Sequence, residues 1–273
     1  MMTSPSKKGK ARTAKNGGNR PLQTAAWVCV ILAVWEAAPR LGLVSSFILP
    51  PFTKVVATMI REIATGNLGL QIGNSLLLVL EGFLISLVLA VVLSTLSVRF
   101  RVVESLCDAL CVIFTPLPGV AMLPLIMMWF GVSSGAMLAL IVHSVLWPIL
   151  ADLTTGFRSV PVIYRDYAKN IGMTSYQTVF YILIFSVMPY LLSGIKIGWG
   201  RSWRALISSE MIFGMIGSLG GLGYYIYTNR AYAKIECVMA GVLCVIVIGI
   251  LAEVVLFRLV ERNTNEKWGM TNG

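Results

Sequence analysis

Four side chains within one short stretch, Lys196, Arg201, Arg204 and Glu210, set three cations and one carboxyl group into an otherwise apolar part of the chain. Lys196 and Arg204 are eight residues apart, about two helical turns, so on a helix they project alike. Glu210 follows closely enough to pair with one of them. Two chemistries fit: a basic face that admits an anion, or cations that reach the outer interface and bind lipid phosphate or Glu210. A second cluster, Arg165, Asp166 and Lys169, lies in the polar stretch from Gly156 to Thr178, between two long apolar segments. There Val160-Pro161 reads as a helix start. Tyr164 to Ile171 makes about two turns. Gly172 tolerates the left-handed conformation of a helix stop, and Thr174 or Ser175 can cap the helix that follows. A short helix of this kind, with charges available for contact, binds by inserting into a groove on a partner.

Reaction chemistry has little to work with. The one histidine, His143, has no neighbouring histidine or acid in sequence; on an apolar helix it reads as hydrogen-bonded packing. No G-x-S-x-G, H-E-x-x-H or paired carboxylates occur, which excludes the familiar hydrolase sites. The pattern G-x-x-x-x-G-K-[ST] is also absent, so this chain has no loop of that type to cradle ATP phosphates. The five cysteines, Cys29, Cys107, Cys111, Cys237 and Cys244, fall in apolar runs without metal-ligand or redox spacing, and read as small buried hydrophobes.

The elements that must position these groups are membrane spans. The chain is 57% hydrophobic and 12% charged, with a mean hydropathy of +0.80, which only a polytopic α-helical membrane protein matches. Six spans are predicted: Leu22–Ala38, Leu76–Val98, Leu106–Phe130, Ala136–Leu153, Val179–Trp199 and Cys237–Phe257. Six of the 22 Lys and Arg residues lie before residue 21, in a polar tail over 1–21 that reads as disordered and as a topology anchor. With that tail inside, the inner connections hold 14 of the 22, which predicts both termini in the cytoplasm and places 156–178 there too. The region 22–262 is then the membrane domain and 263–273 a cytoplasmic tail; nothing in the charge distribution calls for nucleic acid. The connection from Ser45 to Ser75 contains I-L-P-P-F-T-K-V, with Thr53 a candidate cap for a surface helix. The outer stretch between Arg201 and Lys234 is too short and glycine-rich in its apolar part to span, and reads as re-entrant or interfacial. In the third span Pro116, Pro118 and Pro124 each remove a backbone donor, which predicts a bent helix, either passive or lining a pathway.

The polar stretch resembles the cytoplasmic loop of permeases of binding-protein-dependent ABC importers. Their pattern, E-A-A, three residues and Gly, is matched by Asp166-Tyr167-Ala168-Lys169-Asn170-Ile171-Gly172 and followed by Ile182-Leu183-Ile184-Phe185. Asp replaces Glu, Tyr replaces the first Ala, and Phe185 stands where the family often has Pro. Further blocks resemble the nitrate/sulfonate/taurine branch: I-L-P-P-F-T-K-V, Ser75–Phe83, P-L-P-G-V-A-M-L-P-L-I-M-M-W-F-G, G-F-R-S-V-P, S-S-E-M and G-L-G-Y-Y-I, in consistent order over roughly 22–262.

The resemblance implies an all-α permease with six transmembrane helices and the type I ABC importer architecture, multi-pass in a bacterial inner membrane. It implies a second copy of the permease, a cytosolic ABC ATPase dimer that binds the ATP, and an extracytoplasmic substrate-binding protein as partners, with no cofactor in this chain. Pro161, Arg165, Asp166, Ala168, Lys169 and Gly172 would couple to the ATPase, with Ala168 allowing close approach. Pro116, Pro118, Pro124, Lys196, Arg204 and Glu210 would line the pathway for a small oxyanion. The alternative, an ion-coupled secondary transporter or channel, requires acidic groups at mid-span, whereas Glu36, Glu81, Asp108 and Glu253 sit near the predicted span ends.

Overall fold

The computed structural model describes residues 20–216 and 220–257. The basic tail through residue 19 and the C-terminal tail 263–273 lie outside the described residues. Every regular element among those residues is helical. Four helices are long and apolar enough to cross a membrane, Leu22–Arg40, Leu68–Arg99, Ser134–Ser159 and Ile235–Val254. Two bent pairs, Arg101–Phe114 with Gly119–Phe130 and Tyr176–Ser186 with Met188–Phe213, bring the number to six when each pair is one span.

The chain divides into two compact units, residues 1–57 and 58–273. In the first, α1 (Arg20–Arg40) ends beside the start of α2 (Phe52–Ala64). The Pro50-Pro51 pair halts the chain, and the exposed amide ends of α2 need acceptors. Glu36 supplies them: its Oε2 accepts from the Thr53 N–H at 3.0 Å and its Oε1 from the Thr53 hydroxyl at 2.9 Å. Arg40 holds the same carboxylate, and the Trp35 indole donates to the Pro50 carbonyl at 3.1 Å. Thr53 was the expected cap; it is instead the capped residue, because a carboxylate from α1 reaches α2 first.

The second unit is organised around α3 (Leu68–Arg99), α6 (Ser134–Ser159) and α10 (Met188–Phe213). α6 lies between the other two and packs against both, so Leu140, Ile141, Val145, Ile149 and Leu150 are all fully buried. Lipid is as apolar as these side chains, so close packing rather than water exclusion must hold the helices together. Gly194 and Gly198 serve that need: a Cβ at Gly198 would stand 2.9 Å from Ile149 Cδ1. α11 (Leu222–Ala231) and α12 (Ile235–Leu251) pack beside one another, and α11 also contacts α10. Arg158 near the end of α6 bonds Glu104 at 2.9 Å and Asp108 on α4 (Arg101–Phe114), tying the two helix ends together.

Three expectations about the spans need correction. The third span is not one bent helix: α4 and the following segment, a 3-10 turn at Gly119–Met122 and α5 (Leu123–Phe130), meet at 93°. Pro118 is extended, with φ −62° and ψ 131°, and together with Pro116 it stops the helix. Pro124 bends nothing, because it lies in the first turn of α5, where no donor is missed. The fifth span, the bent pair Tyr176–Ser186 with Met188–Phe213, extends further toward the C-terminus than predicted. Val187 leaves helical geometry and Pro189 opens α10, which runs to Phe213. At 26 residues α10 is about 39 Å long, so Arg201 and Arg204 lie near its middle rather than in an outer loop. Lys196 falls in the first half of α10. Glu81 was placed at a span end, but α3 begins at Leu68, which puts Glu81 well inside the helix.

Candidate functional site

The segment after α6 folds as its residues dictate. Pro161 precedes α7 (Val162–Asn170), whose end is closed by two bonds around Gly172. The Met173 amide donates to the Ala168 carbonyl at 2.9 Å and the Gly172 amide to the Lys169 carbonyl at 3.0 Å, the pairing of a Schellman stop. It requires a left-handed residue, and Gly172 has φ +75°. Thr174 and Gln177 then cap the next helix reciprocally. The Thr174 amide donates to Gln177 Oε1 at 2.9 Å, and the Gln177 amide to Thr174 Oγ1 at 3.3 Å.

α7 therefore has a fixed start and stop, yet it buries little of itself. Val162, Ile163, Tyr164, Tyr167 and Ile171 are exposed, as are Pro161, Asp166 and Lys169. Arg165 takes its place in α7 through its backbone. Ala168 differs from its neighbours on α7: it is 0% exposed.

A second feature is created by the 93° bend. The turn Thr115–Gly119, α6 and α10 enclose a cleft of about 490 Å³ lined by Pro116, Pro118, His143, Ser144, Arg201 and Arg204, among others. On one wall Phe114 stacks on Trp147 at 4.8 Å, and the Trp147 indole donates to His143 Nδ1 at 3.2 Å. One imidazole nitrogen is thereby engaged, while His143 Nε2 is buried without a hydrogen-bond partner. Gly119 presses on Ser144, whose Oγ would lie 2.2 Å from a Cβ there. Arg204 also borders a groove of about 550 Å³ between α10 and α12, with Lys196, Trp203 and Glu253. The shared projection of Lys196 and Arg204 thus holds.

Glu210 belongs to neither cavity. It is 3% exposed and forms no ion pair with an arginine among the described residues. Its Oε1 accepts from Ser75 Oγ and its Oε2 from the Gly223 amide, both at 2.7 Å. Ser75 Oγ in turn accepts from the Leu222 amide at 2.8 Å, and Asn74 donates to the Gly220 carbonyl at 3.1 Å. These bonds clamp α3, α10 and the start of α11 together. Gly221 and Gly223 leave the room: a Cβ at Gly221 would fall 1.9 Å from Glu210 Oε1. The amides of α11's first turn lack helical acceptors, and the Glu210 carboxyl and Ser75 hydroxyl supply them.

The structure thus brings Pro116, Pro118 and Arg204 to one cleft and Lys196 and Arg204 to a neighbouring groove. It sets Pro124 and Glu210 elsewhere. Reasoning from sequence missed Thr115, Ser144 and Ser208 as lining residues. The spacing of Arg201 and Arg204, three apart on one helix face, was the available signal for that wall.

Residues 82–265 match the family of binding-protein-dependent transport system inner membrane components. A putative ABC transporter permease protein of Methanocaldococcus jannaschii is 29% identical over 78% of this chain and 75% of its own length. The taurine transport system permease protein of Escherichia coli is 24% identical over 87% and 86%. A putative aliphatic sulfonates transport permease protein of Bacillus subtilis is 27% identical over 85% and 83%. With its helical six-span fold, the chain belongs to the binding-protein-dependent inner-membrane permeases of ABC transporters, in the branch of the nitrate, sulfonate and taurine permeases, and is a transport subunit rather than an enzyme.

Proposed function

We propose that this chain is the permease subunit of an ATP-driven importer that passes a small oxyanion, a sulfonate such as taurine or an inorganic anion such as nitrate, into the cytoplasm. Two copies pair in the membrane, an extracytoplasmic binding protein delivers the solute, and a cytosolic ATPase dimer binds and hydrolyses ATP. Both termini and α7 face the cytoplasm.

The observation that carries this reading is α7 itself. A helix of nine residues with a built start and stop leaves its apolar, aromatic and charged side chains uncovered. Such a helix is ordered without being used by its own chain, which fits insertion into a groove on a partner. The family supplies the partner's kind, and the absence of a phosphate-binding G-x-x-x-x-G-K-[ST] in this chain agrees with ATP being bound elsewhere. The relatives named for taurine and aliphatic sulfonates supply the solute class.

Asp166→Lys reverses an exposed charge on α7 without touching the core. In proteoliposomes holding the permease, its ATPase and the binding protein, it is expected to abolish solute-stimulated ATP hydrolysis while membrane insertion stays normal. Wild-type stimulation in this variant and in Lys169→Glu would overturn the role of α7.

A further inference from the structure

We infer that the cleft behind the 93° bend is a binding site for the transported oxyanion within the permease itself, with Arg201 and Arg204 as its charged donors. The inference rests on the importer reading above and adds to it a defined station for the solute.

Four observations converge on the cleft. First, Arg201 and Arg204 lie near the middle of α10, which counts as a candidate span together with Tyr176–Ser186 as a bent pair. Cationic side chains within an apolar span are unfavourable unless they face a cavity, a partner or a ligand. Second, neither makes an ion pair among the described residues. The one acid expected to pair, Glu210, has both oxygens engaged by Ser75 and Gly223. Third, Arg201 and Arg204 both line the same cleft, whose volume of about 490 Å³ falls within the range of small-molecule sites, roughly 300–1,000 Å³. Fourth, the cleft offers further donors: the Thr115 and Ser144 hydroxyls are buried without a hydrogen-bond partner, and Ser208 joins them on the α10 wall.

The donor set matches the ligand class. Guanidinium groups offer paired N–H donors in the geometry that sulfonate, nitrate and carboxylate oxygens accept. Hydroxyl groups can complete the coordination of a third oxygen. The apolar wall of Phe114, Trp147 and Pro148 suits a short organic substituent. A phospholipid headgroup presents the same oxyanion chemistry, so the experiment separates the two sources.

Ser208→Cys places a thiol in the cleft and leaves the arginines untouched. The permease–ATPase complex carrying it is reconstituted without binding protein in phosphatidylcholine nanodiscs, and its labelling by a neutral maleimide is timed. The probes are ethanesulfonate, taurine and nitrate. At least one is expected to slow labelling saturably, by about fivefold or more. Arg201→Gln and Arg204→Gln in that background are expected to raise the half-saturating concentration about tenfold or more each, the scale of a lost charge-assisted hydrogen bond. Arg204→Lys should raise it less. Absence of saturable protection with native arginines overturns the site, and so does protection that both glutamine variants retain in full. Protection that appears only with anionic phospholipid, whatever the probe, assigns the cleft to a headgroup and also overturns it. ATP-dependent uptake with the binding protein present is measured in parallel. Uptake without protection rejects the site and keeps the importer; protection without uptake of any probe rejects the importer reading.

Discussion

Replacing Glu210 with alanine removes the acceptor for two buried donors at once, the Ser75 hydroxyl and the Gly223 amide, each at 2.7 Å. A buried donor left unpaired costs about 1–3 kcal/mol. The two differ in their alternatives. Ser75 lies within α3 and its hydroxyl can turn to a carbonyl of the preceding turn, as Ser86 does toward Gly82 at 2.6 Å. Gly223 is in the first turn of α11 and has no helical acceptor, so its loss is close to the full value. The total comes to about 2–4 kcal/mol, with a further contribution from the space the side chain vacates. For a chain of this size that is an apparent melting midpoint lower by on the order of 5 °C or more, read by retention of the monodisperse peak after heating in detergent. Glu210→Gln keeps an oxygen for Gly223 and turns its amide to Ser75, so only the hydroxyl proton is stranded and the loss is smaller. Combining Ser75→Ala with Glu210→Ala should be less harmful than the sum of the two, because they share one interaction. An alanine variant within about 0.5 kcal/mol of wild type, or strict additivity with Ser75→Ala, would refute the clamp.

Two more outcomes follow from the same geometry. Gly223→Ala would set a Cβ 2.5 Å from the Ile207 carbonyl; that atom is helix backbone and cannot yield, so melting should fall at least as far as in Glu210→Ala. A midpoint equal to wild type would show that α10 and α11 are not so tightly apposed. Gly172→Val forces a β-branched residue to φ +75°, at about 1–2 kcal/mol. It should therefore loosen the stop of α7 and lower solute-stimulated ATP hydrolysis, with basal hydrolysis by the partner unchanged. Stimulation at the wild-type level would mean that the turn has no part in coupling.

Local order around α7 was legible because it depends on neighbours in sequence. Pro161 before the helix, Gly172 after it, and Thr174 with Gln177 each act over a few residues, and all four do what their types predict. Periodicity and length likewise gave the long spans near Leu68–Arg99 and Ser134–Ser159. The errors arose where a residue type has two uses. Arginines at 201 and 204 were read as following the end of a span, yet α10 carries both in its interior, where they line a cleft. Prolines at 116, 118 and 124 were read as one series of kinks. Two of them stop a helix and the third opens the next, a distinction set by where the neighbouring helix begins.

The sequence by itself determined the class of molecule, the order of its helices and the shape of the exposed helix at 162–170, because hydropathy, caps and turns are short-range. Only the tertiary structure decided what the polar groups inside do. Ser75 and Glu210 are separated by 135 positions, and no periodicity relates them. Ala168 is fully buried on a helix whose other described side chains are exposed, which no spacing foretold. The cleft at Arg201 and Arg204 exists only because a break between two short helices faces α6 and α10. Such pairings come from packing three dimensions of side chains at close range, and a linear pattern carries the ingredients without the distances.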